Sequence, residues 1–300
     1  MATVAERRAR LRRILQGDVC VHPASVFDPI SARIAEGVGF EVGVLPGSIA
    51  AAAVLGVPDI VLLTMPEFVE QARRIGRDSG LSLIADADHG YGNALNAQRT
   101  VEELENAGVA ALTLEDTLLP AQFGRSSEEM ISTKEMVGKL KAALAARQDP
   151  TLSIVGRTNA LRCSTLADAV DRLKAYRDAG ADATMVVGLK SMEQVEALGK
   201  GVGAPIILGS VAQNTPAPLT DTKALVSYGI RVAFQGHYAF LAGLKAMQEV
   251  LKFLREGGNP AELKGKVASD EVYNQLTVRG MYLDREKRYM SHAESATPRA

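Results

Sequence analysis

One joint recurs along this chain: a helical pattern, a small residue with glycine, then an apolar run. It occurs as Gly37-Val38-Gly39 before Phe40–Leu45, Ser79-Gly80 before Leu81–Ala85, and Ala107-Gly108 before Val109–Leu114. It returns as Ala179-Gly180 before Ala181–Val187 and Tyr228-Gly229 before Ile230–Phe234. Glycine ends a helix in a left-handed cap, and the chain then enters a strand. Val19–His22, Leu152–Gly156 and Pro205–Leu208 bring the expected strands to about eight, alternating with helices. Near-continuous apolar strands in such alternation mean a parallel sheet covered by helices. About eight units in 300 residues predict an α/β fold of the (β/α)8 TIM-barrel type.

Helices are legible between the strands. Thr64-Met65-Pro66-Glu67 is a capping box with proline in the first turn, opening a helix through Arg77. Thr100–Ala107 and Ala167–Asp178 carry apolar residues at helical spacing. Phe240–Glu256 is a strong helix, Gly257-Gly258-Asn259-Pro260 a break, and 262–290 polar with scattered apolar residues. No linker is apparent, so residues 1–300 are expected to form one barrel domain with a helical extension from about residue 240. That extension cannot make a core alone and is expected to pack on its own barrel or on a neighbouring subunit.

Composition narrows the function. The 47% hydrophobic content can bury a large core, and no apolar run is long enough to span a bilayer. No secretory signal is expected, because the arginines of the amphipathic stretch Ala5–Gln16 lack a long apolar run behind them. A net charge of −1 argues against nonspecific nucleic-acid binding, with the arginine-rich first helix as the one dissenting feature. Cys20 and Cys163 make neither a disulfide framework nor a metal spacing, so a reduced cytoplasmic compartment is expected.

In a barrel, chemistry collects at the C-terminal ends of strands. Those positions are Gly47-Ser48, Asp86, Asp88, Glu115-Asp116, Arg157-Thr158-Asn159 and Gln235-Gly236-His237. Asp86-Ala87-Asp88-His89-Gly90-Tyr91-Gly92 is the sharpest signal, because paired strand-end carboxylates are costly unless a cation or hydrogen bonds satisfy them. Oxygen-only donors favour Mg²⁺ or Mn²⁺ over zinc. A lone strand-end Asp is often only a helix N-cap. Glu115 belongs either to the metal site or to a salt bridge with Arg157, and Arg157 is either structural or an anion clamp. His237 reads as proton donor, carboxylate ligand or core histidine. His89 is expected in the loop beside the carboxylates, His22 and Cys20 in the core, Cys163 in a structural role and His292 in the polar tail.

Leu45-Pro46-Gly47-Ser48-Ile49, Asp59, Asp86–Gly92, Leu114-Glu115-Asp116 and Gly156-Arg157-Thr158-Asn159 resemble, in order, motifs of the isocitrate lyase/phosphoenolpyruvate mutase superfamily. The resemblance implies a (β/α)8 barrel whose last helix is exchanged between subunits of a dimer or tetramer. It implies Mg²⁺ bound directly by Asp86, with Asp59, Asp88 and Glu115 holding its waters. It places Arg157 on a substrate carboxylate; the strand-end set by itself suits a small dianionic substrate with the Gly47-Ser48 amides holding an oxyanion.

The loop Thr117-Leu118-Leu119-Pro120-Ala121-Gln122-Phe123-Gly124-Arg125 contains no Cys, Lys or His, unlike the superfamily's isocitrate and methylisocitrate lyases. It also lacks the Lys-Thr-Asn of the mutase and phosphonopyruvate hydrolase. The loop and Gly236-His237 resemble instead the oxaloacetate-decarboxylating branch, although Ser210–Pro216 departs from that pattern. The resemblance implies Mg²⁺-dependent loss of CO2 from oxaloacetate through an enolate. Arg157, His237 and Ser48 would be catalytic, Gly47 would join them in holding the small dicarboxylate, and the loop around Gln122–Arg125 would close over the site. Two alternatives stand beside it: lysis or hydrolysis of another 2-keto or 2-hydroxy dicarboxylate, as in methylisocitrate or dimethylmalate lyases, and a non-catalytic dicarboxylate-binding oligomer.

Overall fold

The computed structural model describes residues 2–124, 129–209 and 221–290. The chain divides into two compact units, Met1–Leu241 and the part from Ala242 onward.

The first unit opens with helix α1 (Val4–Gln16), capped by Thr3 and Glu6 in a capping box. There follow β1 (Ala24–Ser25), α2 (Pro29–Gly37), β2 (Val42–Leu45), α3 (Gly47–Leu55) and α4 (Met65–Asp78). Next come β3 (Ser82–Asp86), α5 (Ala94–Asn106), β4 (Ala111–Glu115), α6 (Thr133–Ala146) and β5 (Ser153–Thr158). The unit continues with α7 (Ala160–Cys163), α8 (Leu166–Asp178), β6 (Ala183–Val186), α9 (Met192–Val202) and β7 (Ile206–Leu208). It finishes with α10 (Thr222–Ser227), β8 (Ile230–Ala233) and the start of α11 (Tyr238–Arg255). The eight strands form one parallel sheet in sequential order. An isolated parallel bridge, Val21 to Val232, joins β8 to the segment leading into β1. This architecture is consistent with a TIM-like barrel.

The first strand differs from the sequence expectation. Val19–His22 keeps only the Val21 bridge, and the named strand lies beyond Pro23. Proline has no N–H for a sheet ladder, which splits the segment. The expected helix from the Thr64 capping box is present as α4, and the stretch around Thr100–Ala107 is α5 with an earlier start at an Asn93 cap.

Side chains of the sheet alternate between two apolar cores. Leu83, Ala85, Leu112, Leu114 and Ile154 pack outward with the helices. Ile84, Ala111, Val155, Met185, Ile207 and Val232 pack inward with Leu11, Ile14 and Leu15 of α1. The first helix therefore contributes its apolar face to the interior core. Its arginines are spent on the protein: Arg7 donates to the carbonyls of Gly76 and Ser79, and Arg8 to those of Val109 and Glu105 and to Asp149. Arg12 reaches the Thr151 carbonyl and Asp182. The arginine-rich pattern is thus explained by capping of buried carbonyls and carboxylates.

Alternation also separates Glu115 from Asp116. Asp116 is fully buried and accepts from Thr158 Oγ1 at 2.7 Å, the Asn159 amide at 3.1 Å, Arg172 at 3.1 Å and Tyr176 Oη at 2.7 Å. It ties the end of β4 to β5 and α8, fixing two strand ends that carry site residues.

In the second unit, α11 continues to Arg255, followed by a 3-10 turn (Pro260–Leu263), α12 (Asp270–Leu276) and α13 (Arg279–Tyr289). None of these elements has a buried residue. Among the described residues no helix is long and apolar enough to cross a membrane.

Replacing Asp116 with Ala leaves Tyr176 Oη without its acceptor and Arg172 with Asp168 and the Ile131 carbonyl as partners. It is expected to cost about 3–5 kcal/mol, the range for breaking a buried charge pair, read as a lowered midpoint in urea unfolding.

Candidate active site

Strand register assembles the site before any loop contributes. Asp86, Thr113, Glu115 and Arg157 continue the inward rows of Ile84, Ala111 and Val155. Parallel pairing sets Asp86 opposite Thr113 and Glu115 opposite Arg157. Thr113 Oγ1 donates to Asp86 Oδ1 at 2.9 Å. Arg157 Nη1 bonds both Asp86 oxygens at 2.9 Å, and Nη2 lies 2.7 Å from Glu115 Oε2. One guanidinium thus bridges carboxylates of β3 and β4 from β5. The Arg157–Glu115 salt bridge that the sequence left open is present, and Arg157 has both terminal nitrogens engaged.

These groups line a cavity of about 260 Å³ with Asp59, Asp88, Thr117, Asn159, Arg162 and Cys163. Asp88 sits on the turn after β3 at φ +47°, and Tyr91 follows at +58°. Such conformations are uncommon for non-glycine residues and concentrate at functional sites. Asp59 comes from the loop between α3 and α4. Desolvation, then the negative charges of Asp86 and Glu115, push the Asp59 carboxyl above its ordinary range. The same causes push Asp88 well above it. For Arg157, burial opposes the charged form, but Asp86, Glu115 and Asp88 outweigh it and hold the guanidinium firmly protonated. One arginine therefore compensates part of an acidic cluster that still repels itself.

Gly47 and Ser48 open α3. Their amides precede the first intrahelical bond, Ala50 N to Pro46 O, so both belong to the helix's unpaired N–H groups. A Cβ at Gly47 would meet Asp88 Oδ1 at 2.7 Å, so only glycine lets this carboxylate approach. His237, past the end of β8, pairs Nδ1 with Ser25 Oγ at 2.9 Å. Burial lowers its pKa while Asp86 opposes the shift, which leaves the ring neutral near pH 7. Ser48 and His237 occupy the same strand-end face but are not among the residues lining the cavity.

His89 is buried beside Tyr91, and desolvation, then Lys139, lowers its pKa to about 4. Lys139 Nζ donates to the His89 carbonyl at 2.8 Å, anchoring the turn from behind. His22 is half-buried with Nδ1 2.7 Å from the Ala233 carbonyl oxygen, and Cys20 is half-buried with its thiol raised to about 11, chiefly by desolvation. Cys163, which the sequence assigns a purely structural role, lies exposed on the cavity wall. Of the loop 117–125, Gln122, Phe123 and Gly124 are exposed. Arg125, Ser210–Pro216 and His292 lie outside the described residues.

Sequence reasoning missed Arg162 and Thr117, and Asn159 was noted only by position. Asn159 Nδ2 donates to Thr117 Oγ1, while Asn159 Oδ1 has no hydrogen-bond partner among the described residues. The available signal was their spacing, two to five residues beyond strand-end carboxylate or arginine.

Among the described residues, no group of three or more His, Cys, Asp or Glu is close enough to hold a metal directly. The donors nevertheless suit a hard cation that keeps several waters: they are carboxylates on one cavity, with the pKa of two of them raised by desolvation and then by mutual repulsion.

The phosphoenolpyruvate phosphomutase family model matches residues 11–255. An oxaloacetate decarboxylase of Rhodopseudomonas palustris (strain BisB5) is 48% identical, covering 95% of this chain and 96% of its own. A phosphonopyruvate hydrolase solved with oxalate and Mg++ superposes with TM-score 0.84 at 28% identity, covering 95% of this chain and 99% of its own. An oxaloacetate acetylhydrolase solved with 3,3-difluorooxalacetate superposes with TM-score 0.83 at 28% identity, covering 96% and 98%. With a family match over residues 11–255 and a relative 48% identical over 95% of this sequence, the chain belongs to the phosphoenolpyruvate phosphomutase family.

Proposed function

We propose that this chain is a divalent-metal-dependent carboxy-lyase that converts oxaloacetate to pyruvate and CO2. The observation that carries the reading is the bridge of Arg157 to Asp86 and Glu115 on a cavity shared with Asp59 and Asp88. Relatives named oxaloacetate decarboxylase at 45–49% identity support the substrate.

Asp86 would hold Mg²⁺ directly, with Asp59, Asp88 and Glu115 reaching it through water; Mn²⁺ suits the same donors. A bound cation would supply electrophilic pull on the C2 carbonyl, making the β-keto acid an electron sink. The C3–C4 bond breaks, its electron pair moves into the enolate, C4 leaves as CO2, and C3 takes up a proton from solvent to give pyruvate. Gly47 and Ser48 donate their amides to the developing oxyanion. Arg157 holds the C1 carboxylate by exchanging part of its pairing with Asp86. His237, held at Nδ1 by Ser25 Oγ, leaves Nε2 to hydrogen-bond the reacting end. Closure of the loop around Gln122 excludes water.

The protein works as a cytoplasmic homo-oligomer, a dimer or tetramer, in which the last helix covers a neighbouring barrel. Support comes from α11, where Leu241, Leu244, Met247, Leu251 and Leu254 are all exposed at helical spacing. No nucleic-acid or membrane partner enters the reading.

Pyruvate release from oxaloacetate with Mg²⁺, measured against chelator and free-metal blanks, is expected to fall about 10³-fold in Asp86→Ala, several kcal/mol of lost stabilisation. Oxalate and acetate in place of pyruvate would instead assign hydrolytic cleavage.

The raised carboxyls of Asp59 and Asp88 give a second test. The folded chain binds these protons more tightly than the unfolded chain. Their stabilisation is therefore complete below about pH 4 and is lost as pH rises through the folded values. In chelator, Tm is expected to fall as pH rises from the acid range toward neutrality, with added Mg²⁺ reversing most of the fall. Asp88→Asn, which removes the repelled charge at similar shape, is expected to raise the metal-free Tm at pH 7.5 by about 2–4 °C. Differential scanning calorimetry checks both.

A further inference from the structure

The cavity wall carries an acidic group and one further cation. Asp59, Asp86, Asp88 and Glu115 form the acidic group, and Arg157 is engaged with it, with its terminal nitrogens on Asp86 and Glu115. The remaining wall includes Thr117, Leu119, Ala121, Asn159, Arg162 and Cys163. Arg162 is the cation of that wall. Among the described residues its guanidinium makes no hydrogen bond or ion pair, and its positive charge acts on Asp59.

The placement is built in. Arg162 lies on α7, directly after the β5 end that carries Arg157. Gly188, at φ +85° just beyond β6, leaves room for its stem: a Cβ there would lie 2.9 Å from Arg162 Cγ and 3.5 Å from Leu161 Cβ. The chain thus clears a path for an exposed arginine beside its catalytic cavity.

A four-carbon 2-keto dicarboxylate has two charged ends. A cation held by the acidic group would take the 2-keto acid portion, which leaves the second carboxylate in need of a partner. His237 is held at Nδ1 by Ser25 Oγ and is not among the residues lining the cavity. A guanidinium stays charged and matches a carboxylate with two parallel donors. We propose that Arg162 is a substrate-binding, specificity-determining residue that captures the distal carboxylate of the substrate and so selects dicarboxylates over monocarboxylates.

This inference rests on the decarboxylase reading of the same cavity. Within that reading, the distal carboxylate is the one that departs as neutral CO2 when the C3–C4 pair moves into the enolate. A charge contact that favours the ground state is released in that step, so Arg162 acts on capture more than on turnover. Arg162→Met is expected to raise KM for oxaloacetate at least tenfold with kcat within about threefold of the parent. Arg162→Lys, which keeps the charge without the fork, is expected to fall between the two.

The deciding experiment uses unreactive ligands, so it reads binding whether or not the chain makes pyruvate. Malate and lactate share a 2-hydroxy acid end, and only malate has a distal carboxylate. Their dissociation constants are measured by calorimetry with Mg²⁺ on the full chain and on Arg162→Met. The inference predicts at least tenfold tighter binding of malate than lactate by the parent, a preference lost in the variant with lactate binding unchanged. A parent without that preference, or a variant that keeps it, overturns the inference. Absence of pyruvate release from oxaloacetate by the parent overturns the decarboxylase reading instead.

Discussion

The bridge from Arg157 to Asp86 and Glu115 is the constraint on which the barrel mouth depends. Four carboxylates around one cavity oppose folding through mutual repulsion and desolvation. A buried guanidinium with both ends engaged offsets part of that cost and joins β3, β4 and β5 at their C-terminal ends. The residual repulsion stays on Asp59 and Asp88, whose carboxyls are driven toward the protonated form. On the proposed reading, a hard divalent cation would supply the positive charge that this site lacks. Stability and function are therefore in tension at these residues, as expected where strained backbone and perturbed carboxyls coincide.

The surroundings serve that bridge. Parallel register sets Arg157 opposite Glu115 and Thr113 opposite Asp86, so precision comes from the sheet. Asp116, one residue from Glu115 but on the other face, binds β5 and α8 together. Lys139 secures the turn carrying Asp88 through the His89 carbonyl. At the interior core, α1 adds Leu11, Ile14 and Leu15 and uses its arginines to satisfy buried carbonyls. The site rests on strand ends and short turns, which hold geometry better than long loops.

Much of this was legible in the chain because local chemistry and fold agree. The glycine joints mark helix ends, and the apolar runs after them become β2, β3, β4, β6 and β8 with small shifts. Asp86, Asp88, Glu115 and Arg157 announce themselves as charged residues closing apolar strands. The first strand was misplaced because four apolar-leaning residues precede Pro23, and the cost of a missing ladder N–H shows only when neighbouring strands are in place. Arg162 and Cys163 were not legible as wall residues, since their approach to the cavity depends on α7 turning back after β5 and on space at Gly188. The dominance of Asp116 over β4–α8 packing depends on side-chain parity and on Tyr176, sixty residues away. The arginines of α1 show the converse: their spacing is plain in sequence, but their targets are carbonyls distributed over distant turns.

The most direct test of the account is calorimetric titration of oxalate into the metal-free chain, with Mg²⁺ and with chelator, on the parent and on Asp86→Ala. If one cation completes the charge balance that Arg157 leaves unfinished, oxalate binds the parent only with Mg²⁺, and Asp86→Ala loses that binding. Equal binding with chelator, or Mg²⁺-dependent binding that survives the loss of Asp86, would contradict the account.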